Sequence, residues 1–206
     1  AERSALWSEI RILDQVRSTN DLVKCEGRRG APAGLVMVAD EQTVGRGRLD
    51  RRWIAPPGTS LLCSLLFRPD LPLAQAHRLT MISSLGAADA IKQVAGLTVA
   101  PKWPNDLIVS SALAEARGEW RKLGGILTET ELDGDRLAFV VVGIGINVNL
   151  PAEDLPDVDA HATSILAETE EAVDRSELLL ELLSGIEERH RRLHDGVSPH
   201  QEWSQR

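Results

Sequence analysis

Two long apolar runs, residues 123–132 and 137–148, flank the tripeptide Asp133-Gly134-Asp135, and this pair constrains the fold more than any other feature. An Asp-Gly turn supplies the positive-φ positions that a tight hairpin needs, so the two runs predict adjacent antiparallel strands. A sheet containing such a hairpin is antiparallel or mixed, and a purely parallel doubly wound sheet is excluded. Four shorter segments extend the sheet. Residues 10–16 alternate loosely and suit an edge strand, while residues 34–40 (GLVMVAD) are rich in the β-branched and apolar types that favour a buried one. Residues 61–67 (LLCSLLF) predict another strand, and residues 99–103 and 107–109 predict two short ones around Pro104-Asn105.

The period changes to three and four between residues 73 and 94, where Leu79, Ile82, Ser83, Gly86, Ala87, Ala90, Ile91 and Val94 form one helix face. Several of these residues are small, so the helix is expected to lie close on the sheet. A second amphipathic helix is predicted over residues 175–194 through Leu179, Leu182, Leu183, Ile186 and Leu193, with Gly196 ending it. Ser18 is placed as an N-cap, with Asp21 as the capping-box acid, for a short helix ending between Gly27 and Gly30. Residues 111–121 are polar and aperiodic and are expected to be a mobile excursion. The fold class is α+β, one mixed sheet with helices laid on it.

The 206 residues suit a single domain, and 43% hydrophobic with 26% charged residues suits a packed globule. A net charge of −8 weighs against a partner that is a polyanion. No apolar run reaches the roughly 18 residues of a spanning helix, and the opening Ala1-Glu2-Arg3-Ser4 resembles neither signal peptide nor anchor. Cys25 and Cys63 form no CxxC pair. A reducing, cytoplasmic setting without a membrane is therefore expected.

Chemistry concentrates in a few short strings. Residues 42–58 carry Arg46, Arg48, Arg51 and Arg52 against Asp50, a local +3, with Gly45 and Gly47 between them. Glycine lets backbone N–H groups approach an anion and arginine offers forked donors, so this loop suits phosphate or carboxylate. A solvated basic turn or an Arg-Gly nucleic-acid tail has the same composition. Lys102-Trp103-Pro104-Asn105-Asp106 places a cation and a carboxylate at one strand-turn-strand corner, or is a plain turn with an exposed lysine. Lys122 precedes Gly124-Gly125, glycines that mark close approach of a ligand or another backbone. Gly143-Ile144-Gly145-Ile146-Asn147 lacks a third glycine and runs into Leu150-Pro151 instead of a helix, which excludes a dinucleotide fingerprint. His190 and His194 have the spacing of a metal pair, but Arg191 stands where a metalloprotease helix carries Glu, and last-turn basic residues explain them.

Taken in order, Ser18-Thr19-Asn20, GRGR with Trp53, KWPND at 102–106, KLGGI at 122–126, GIGIN at 143–147 and ATSI at 162–165 resemble the biotin protein ligases over roughly residues 10–205. The resemblance implies a largely antiparallel sheet of the class II aminoacyl-tRNA synthetase type. It implies that biotin and ATP form biotinyl-5′-AMP and pyrophosphate, after which the biotinyl group passes to a lysine of a biotin carboxyl carrier domain. Ser18, Thr19, Asn20, Gln42, Gly45, Arg46, Gly47, Arg48, Lys122, Gly125 and Gly143 are then expected to bind biotin. Arg48, Arg51, Trp53, Lys102, Asn105, Asp106 and Asn147 are expected to face the nucleotide. Arg48 and Lys122 would carry the charge of the adenylation step, and Asp106 would orient or deprotonate the incoming amine. Magnesium is expected with the triphosphate, its ligands unassigned.

The chain stops near Arg206, where many members continue into a small β domain, so that domain is expected to be absent and residues 1–206 to be the catalytic domain. About nine residues precede the first strand, too few for a helix-turn-helix, so DNA binding is not expected. Leu49-Asp50 stand where the family often carries a further basic residue and glycine. A homodimer is compatible with the resemblance. A lipoate-type acyl-adenylate ligase and a non-catalytic biotin- or adenylate-binding fragment are the rival functions.

Overall fold

The computed structural model describes residues 6–49, 51–109, 120–155 and 162–206. Among these residues seven strands form one sheet: β1 (Glu9–Val16), β2 (Leu35–Gln42), β3 (Ser60–Phe67), β4 (Ala100–Lys102), β5 (Asp106–Val109), β6 (Arg121–Asp133) and β7 (Arg136–Asn147). Their order is β1-β2-β3-β7-β6-β5-β4. Only β1 and β2 pair in parallel; every other neighbour is antiparallel. The β6–β7 hairpin turns at Gly134, whose φ of 59° is the left-handed value the Asp-Gly-Asp signature requires. β1 lies at the sheet edge, as its loose alternation predicts.

Among the described residues five helices accompany the sheet: α1 (Thr19–Arg28), α2 (His77–Ala95), α3 (Ile165–Thr169), α4 (Arg175–His194) and α5 (His200–Ser204). α2 begins four residues later than its apolar period suggests, because residues Leu73–Gln75 form a separate 3-10 turn. α4 has the predicted bounds, and Asp174 caps it by accepting from the Ser176 N–H at 2.7 Å. α3 and α5 are too short to show an apolar period. Among the described residues no helix is long and apolar enough to cross a membrane. The expected excursion over 111–121 lies outside the described residues except at Trp120 and Arg121, and Arg121 already belongs to β6.

α2 and α4 cover one face of the sheet. They can approach because Gly86 and Gly185 meet at their crossing: a Cβ on Gly86 would stand 2.8 Å from Ile186 Cγ1. Beneath them the largest core cluster gathers Leu65, Phe67, Leu79, Ile82, Ile91, Val142, Ile146, Leu182 and Ile186. α1 covers part of the opposite face over Val23, Leu35, Met37, Leu66, Phe139 and Val141. With helices on both sides, all eight residues of β3 are buried. Only the first turn of α1, through Asn20, reaches toward the far half of its face, where β6 and β7 carry glycine. That uncovered half is where the sequence strings converge.

Gly34 joins the two strands of the parallel pair to the rest. Its φ is +89°, and an added Cβ would stand 1.9 Å from the Leu6 carbonyl oxygen. Gly34→Ala is expected to destabilise the chain by about 2–4 kcal/mol through left-handed strain and backbone displacement. A denaturant midpoint indistinguishable from wild type would contradict this.

Candidate active site

The floor of the site is a set of cross-strand glycines. Gly125 pairs with Gly145, and Leu127 pairs with Gly143, so these positions share one face of the β6–β7 hairpin. The Trp53 ring lies over the first pair: a Cβ on Gly145 would be 2.9 Å from Trp53 Cε2, and one on Gly125 would be 3.5 Å from Cζ3. Asn20 lies over the second, where a Cβ on Gly143 would fall 2.1 Å from its Oδ1. Each glycine therefore makes room for a specific side chain. This is the close approach that glycine inside a strand signals.

Above this floor is a cavity of about 840 Å³. Ser18, Thr19, Asn20, Gln42, Arg46, Gly47, Arg48, Arg51, Trp53, Asn105, Asp106, Lys122, Gly125, Gly143 and Asn147 all line it. Its size falls within the range of small-molecule and cofactor sites. Two expected residues stand apart. Lys102 lines a neighbouring cavity of about 400 Å³, with its Nζ 3.0 Å from the centre of the Trp120 ring. Gly45 lies beneath the loop, where a Cβ would be 2.4 Å from the Trp53 carbonyl oxygen.

One wall is polar and buried. Ser18 caps α1, accepting from the Asp21 N–H at 3.4 Å, which brings Thr19 and Asn20 onto the first helical turn with only a few per cent of their surface exposed. Gln42, at the end of β2, accepts from the Thr19 N–H at 2.8 Å and from its hydroxyl at 3.0 Å through one carbonyl oxygen. The Ser64 hydroxyl stands 2.7 Å from Thr19 Oγ1 and 2.6 Å from Asn20 Oδ1. The Asp21 carboxylate does not complete the expected capping box. It faces Arg46 at 2.7 Å and Lys24 at 3.4 Å, two cations that outcompete a backbone N–H.

The Arg-Gly loop forms a small hairpin. Gly47 N–H donates to the Arg51 carbonyl at 2.7 Å, and Trp53 N–H donates to Gly45 at 3.0 Å. Arg46 ties the loop to its surroundings, its Nη2 lying 2.7 Å from Asp21 and 2.8 Å from Glu129. Two carboxylates thus supply counter-charge to the loop. Leu49, at the tip, has a φ of 55° and is 85% exposed.

The other wall is cationic. Lys122 and Asp106 form an ion pair at 2.8 Å, each side chain about one-fifth exposed. β5 makes this possible by pairing Ile108 with Lys122 and Asp106 with Gly125 across a register shift. Lys122 thus sits inside the strand, not just before it. Asn105 holds β6 at both backbone groups, accepting from the Ile126 N–H at 2.9 Å and donating from Nδ2 to its carbonyl at 3.0 Å. Arg48 reaches Asn105 Oδ1 at 3.3 Å. Asn147 is turned inward, donating to the Thr163 carbonyl at 2.9 Å and accepting from Ser60 at 3.4 Å. Its clearest task is to fasten the 162–165 segment to β7.

Three participants escaped the sequence reading. Ser64 hides in an uninterrupted apolar strand, and Asp21 was assigned to a cap. Glu129 carried a usable signal: it lies four residues beyond Gly125, on the same face by strand alternation. Its carboxylate receives Lys24 at 2.7 Å, Arg46 at 2.8 Å and Asn20 Nδ2 at 2.8 Å. Burial opposes its charge, but the hydrogen bonds from Lys24 and Asn20 and the fields of Lys24 and Arg46 hold its pKa below the usual carboxylate value.

Outside this network, His190 is half-buried in the packing and Cys63 is buried. His190 lies against Phe67 with ring centres 5.5 Å apart, and burial followed by the neighbouring His194 lowers its pKa to about 4. The Cys63 thiol is fully buried and pushed up to about 12, whereas Cys25 is exposed. A thiol reagent at pH 8 is expected to label one cysteine per native chain and both after denaturation. Rapid native labelling of Cys63 would contradict its burial.

Comparison with known proteins agrees with this geometry. Residues 12–147 match the biotin/lipoate A/B protein ligase family. The chain is 36% identical over 179 residues to the bifunctional ligase/repressor BirA of Bacillus spizizenii, covering 86% of this chain and 52% of that protein. It is 33% identical over 188 residues to the biotin–[acetyl-CoA-carboxylase] ligase of Mycobacterium tuberculosis, covering 89% of this chain and 64% of that protein. Thus it spans about half the length of the Bacillus relative. The biotin protein ligase of Aquifex aeolicus in complex with biotin and ATP superposes with a TM-score of 0.70 at 31% identity, covering 88% of this chain and 70% of that one. The Leishmania major enzyme in complex with biotinyl-5-AMP gives 0.64 at 26%, with coverages of 86% and 73%. By its residues 12–147, its sheet and these likenesses, the chain belongs to the biotin/lipoate A/B protein ligase family.

Proposed function

We propose that the chain is an ATP-dependent biotin protein ligase. It joins biotin to AMP and then passes the biotinyl group to a lysine of a biotin carboxyl carrier domain. The observation that carries this reading is the polarity of the cavity along its glycine floor. Asn20 stands over Gly143, while Lys122 lies beside Gly125, two residue pairs further along the hairpin and so roughly 7 Å away. A ligand fitting that floor is neutral and hydrogen-bonding at one end and anionic at the other. Biotin, with its cyclic urea and carboxylate, has this form.

In the first step the biotin carboxylate attacks the α-phosphorus of ATP and pyrophosphate leaves. The nucleophile is already ionised at neutral pH, so the barrier is the approach of two anions. Arg48, Arg51 and Lys122 lower it by placing cations where charge accumulates. Lys102, in the adjoining cavity, extends the positive field toward the departing phosphates. In the second step a lysine amine attacks the mixed-anhydride carbonyl, AMP departs, and the amine proton must be removed. Asp106 borders both cavities and serves as the group that orients and deprotonates this amine. Among the described residues no group of three His, Cys, Asp or Glu side chains could hold a metal. The donor set does not suit a resident cation cage, so magnesium belongs with the nucleotide's own oxygens and no step is assigned to it.

Biotin-dependent exchange of labelled pyrophosphate into ATP tests the first step, with lipoate as the control acid. Exchange with biotin alone is expected. No exchange by a chain that binds biotin would reduce it to a binding module, and exchange with lipoate alone would move it to the other branch of the family.

A further inference from the structure

We infer that Glu129 is a positioning residue that fixes the hydrogen-bonding direction of the polar wall, and so selects for the neutral ring end of the substrate. This rests on the reading of the cavity as a biotin site. Glu129 is an anion that borders the smaller cavity and reaches the lining of the larger one through Asn20 and Arg46, and a buried anion in that place requires an explanation. Its position gives one. It lies on β6 beyond Leu127, opposite Val141, at the far end of the floor from Lys122.

The carboxylate only accepts, and it takes Asn20 Nδ2 at 2.8 Å. The Asn20 amide is therefore oriented with its nitrogen toward Glu129 and its oxygen toward Ser64, 2.6 Å away. The Ser64 hydroxyl has one proton, which goes to Asn20 Oδ1 as the shorter contact. The Leu127 carbonyl, 3.3 Å from the same nitrogen, is a longer second acceptor, and the fixed charge of Glu129 thus sets the donor direction of Asn20 and Ser64. The same carboxylate holds Arg46 at 2.8 Å, which fixes the start of the loop that closes the cavity. The gap under Gly143 leaves Asn20 no second position, since Oδ1 occupies the space of the missing Cβ.

The test compares Glu129→Gln with Glu131→Gln. Glu131 lies two residues on, on the same face of β6, and also ties the strand to α1 through Arg28 at 2.8 Å. A role limited to joining strand and helix would make the two variants alike. For E129Q, whose amide can donate to Asn20 and reverse it, the KM for biotin in pyrophosphate exchange is expected to rise about tenfold or more. Its KM for ATP at saturating biotin, and its rate of transfer from preformed biotinyl-AMP, are expected to stay within about twofold of wild type. E131Q is expected to keep all three. Should E129Q not fold, Glu129→Asp keeps the charge but loses the reach, and the same biotin-selective rise is expected. A biotin KM within about twofold of wild type in the folded variant, equal losses in E129Q and E131Q, or a parallel fall in transfer rate overturns the inference. A wild-type chain that neither binds nor adenylates biotin overturns the underlying reading itself.

Discussion

Replacing Lys122 by alanine is expected to slow biotin-dependent pyrophosphate exchange by about 10²–10³-fold, the usual cost of removing one preorganised charge donor from a reacting centre. The ammonium is held in place by its surroundings. It projects from the interior of β6, is about one-fifth exposed and faces Asp106 at 2.8 Å. Deletion has two consequences. Two anions must then approach with one fewer cation, and the Asp106 carboxylate adds an uncompensated negative charge beside them. Lys122→Ala/Asp106→Asn should therefore recover part of the loss in the exchange reaction, because the second change removes that stranded charge. Equal exchange by K122A and wild type would remove Lys122 from the adenylation step. A double variant no faster than the single one would show that the ion pair has no share in the effect.

Gly143→Ala is expected to weaken biotin binding by about 10- to 100-fold, corresponding to the roughly 1–3 kcal/mol cost of overpacking a well-filled interior. The reason is specific. The added methyl would fall 2.1 Å from Asn20 Oδ1. Asn20 cannot yield cheaply, because its nitrogen is held by Glu129 and its oxygen by Ser64. Gly124→Ala provides a contrast three pairs away in register, on the opposite face. Its Cβ would crowd the Gly145 carbonyl at 2.7 Å and the Leu107 side chain at 3.2 Å, on the core side of β6. That change should lower the unfolding midpoint more than it alters biotin affinity. Isothermal titration of biotin with both variants separates the two. Wild-type affinity in G143A would mean that Asn20 is not held where the contacts place it.

The sheet and its site were unequally legible in the sequence. The β6–β7 hairpin, the edge position of β1 and the bounds of α4 follow from local chemistry: an Asp-Gly turn, loose alternation, and a three-four apolar period over twenty residues. α3 and α5, of five residues each, contain too little periodicity to register, and their caps do not differ from ordinary turns. Within the site, the glycines and arginines were conspicuous because their composition departs from that of their surroundings. Ser64 and Glu129 were not. A serine between Cys63 and Leu65 looks like a tolerated core residue, and Glu129 between two threonines looks like a solvated strand position. Their meaning depends on Asn20 arriving from more than forty and one hundred residues away, respectively, which no local pattern encodes.

The strand order has a consequence for how the chain acquires its shape. β3 pairs with β2 on one side and with β7 on the other, so about 80 residues separate the two halves of the central pairing. During synthesis, β1 to β3 can assemble while β3 still presents a bare hydrophobic edge, and only the last-made hairpin closes it. Contacts this distant in sequence are slow to form because a long loop must first be closed. The late hairpin also carries Gly125, Gly143 and Lys122, so no partly folded form has a floor for the ligand. A ligand recognised only by the finished sheet draws the folding equilibrium toward it by mass action.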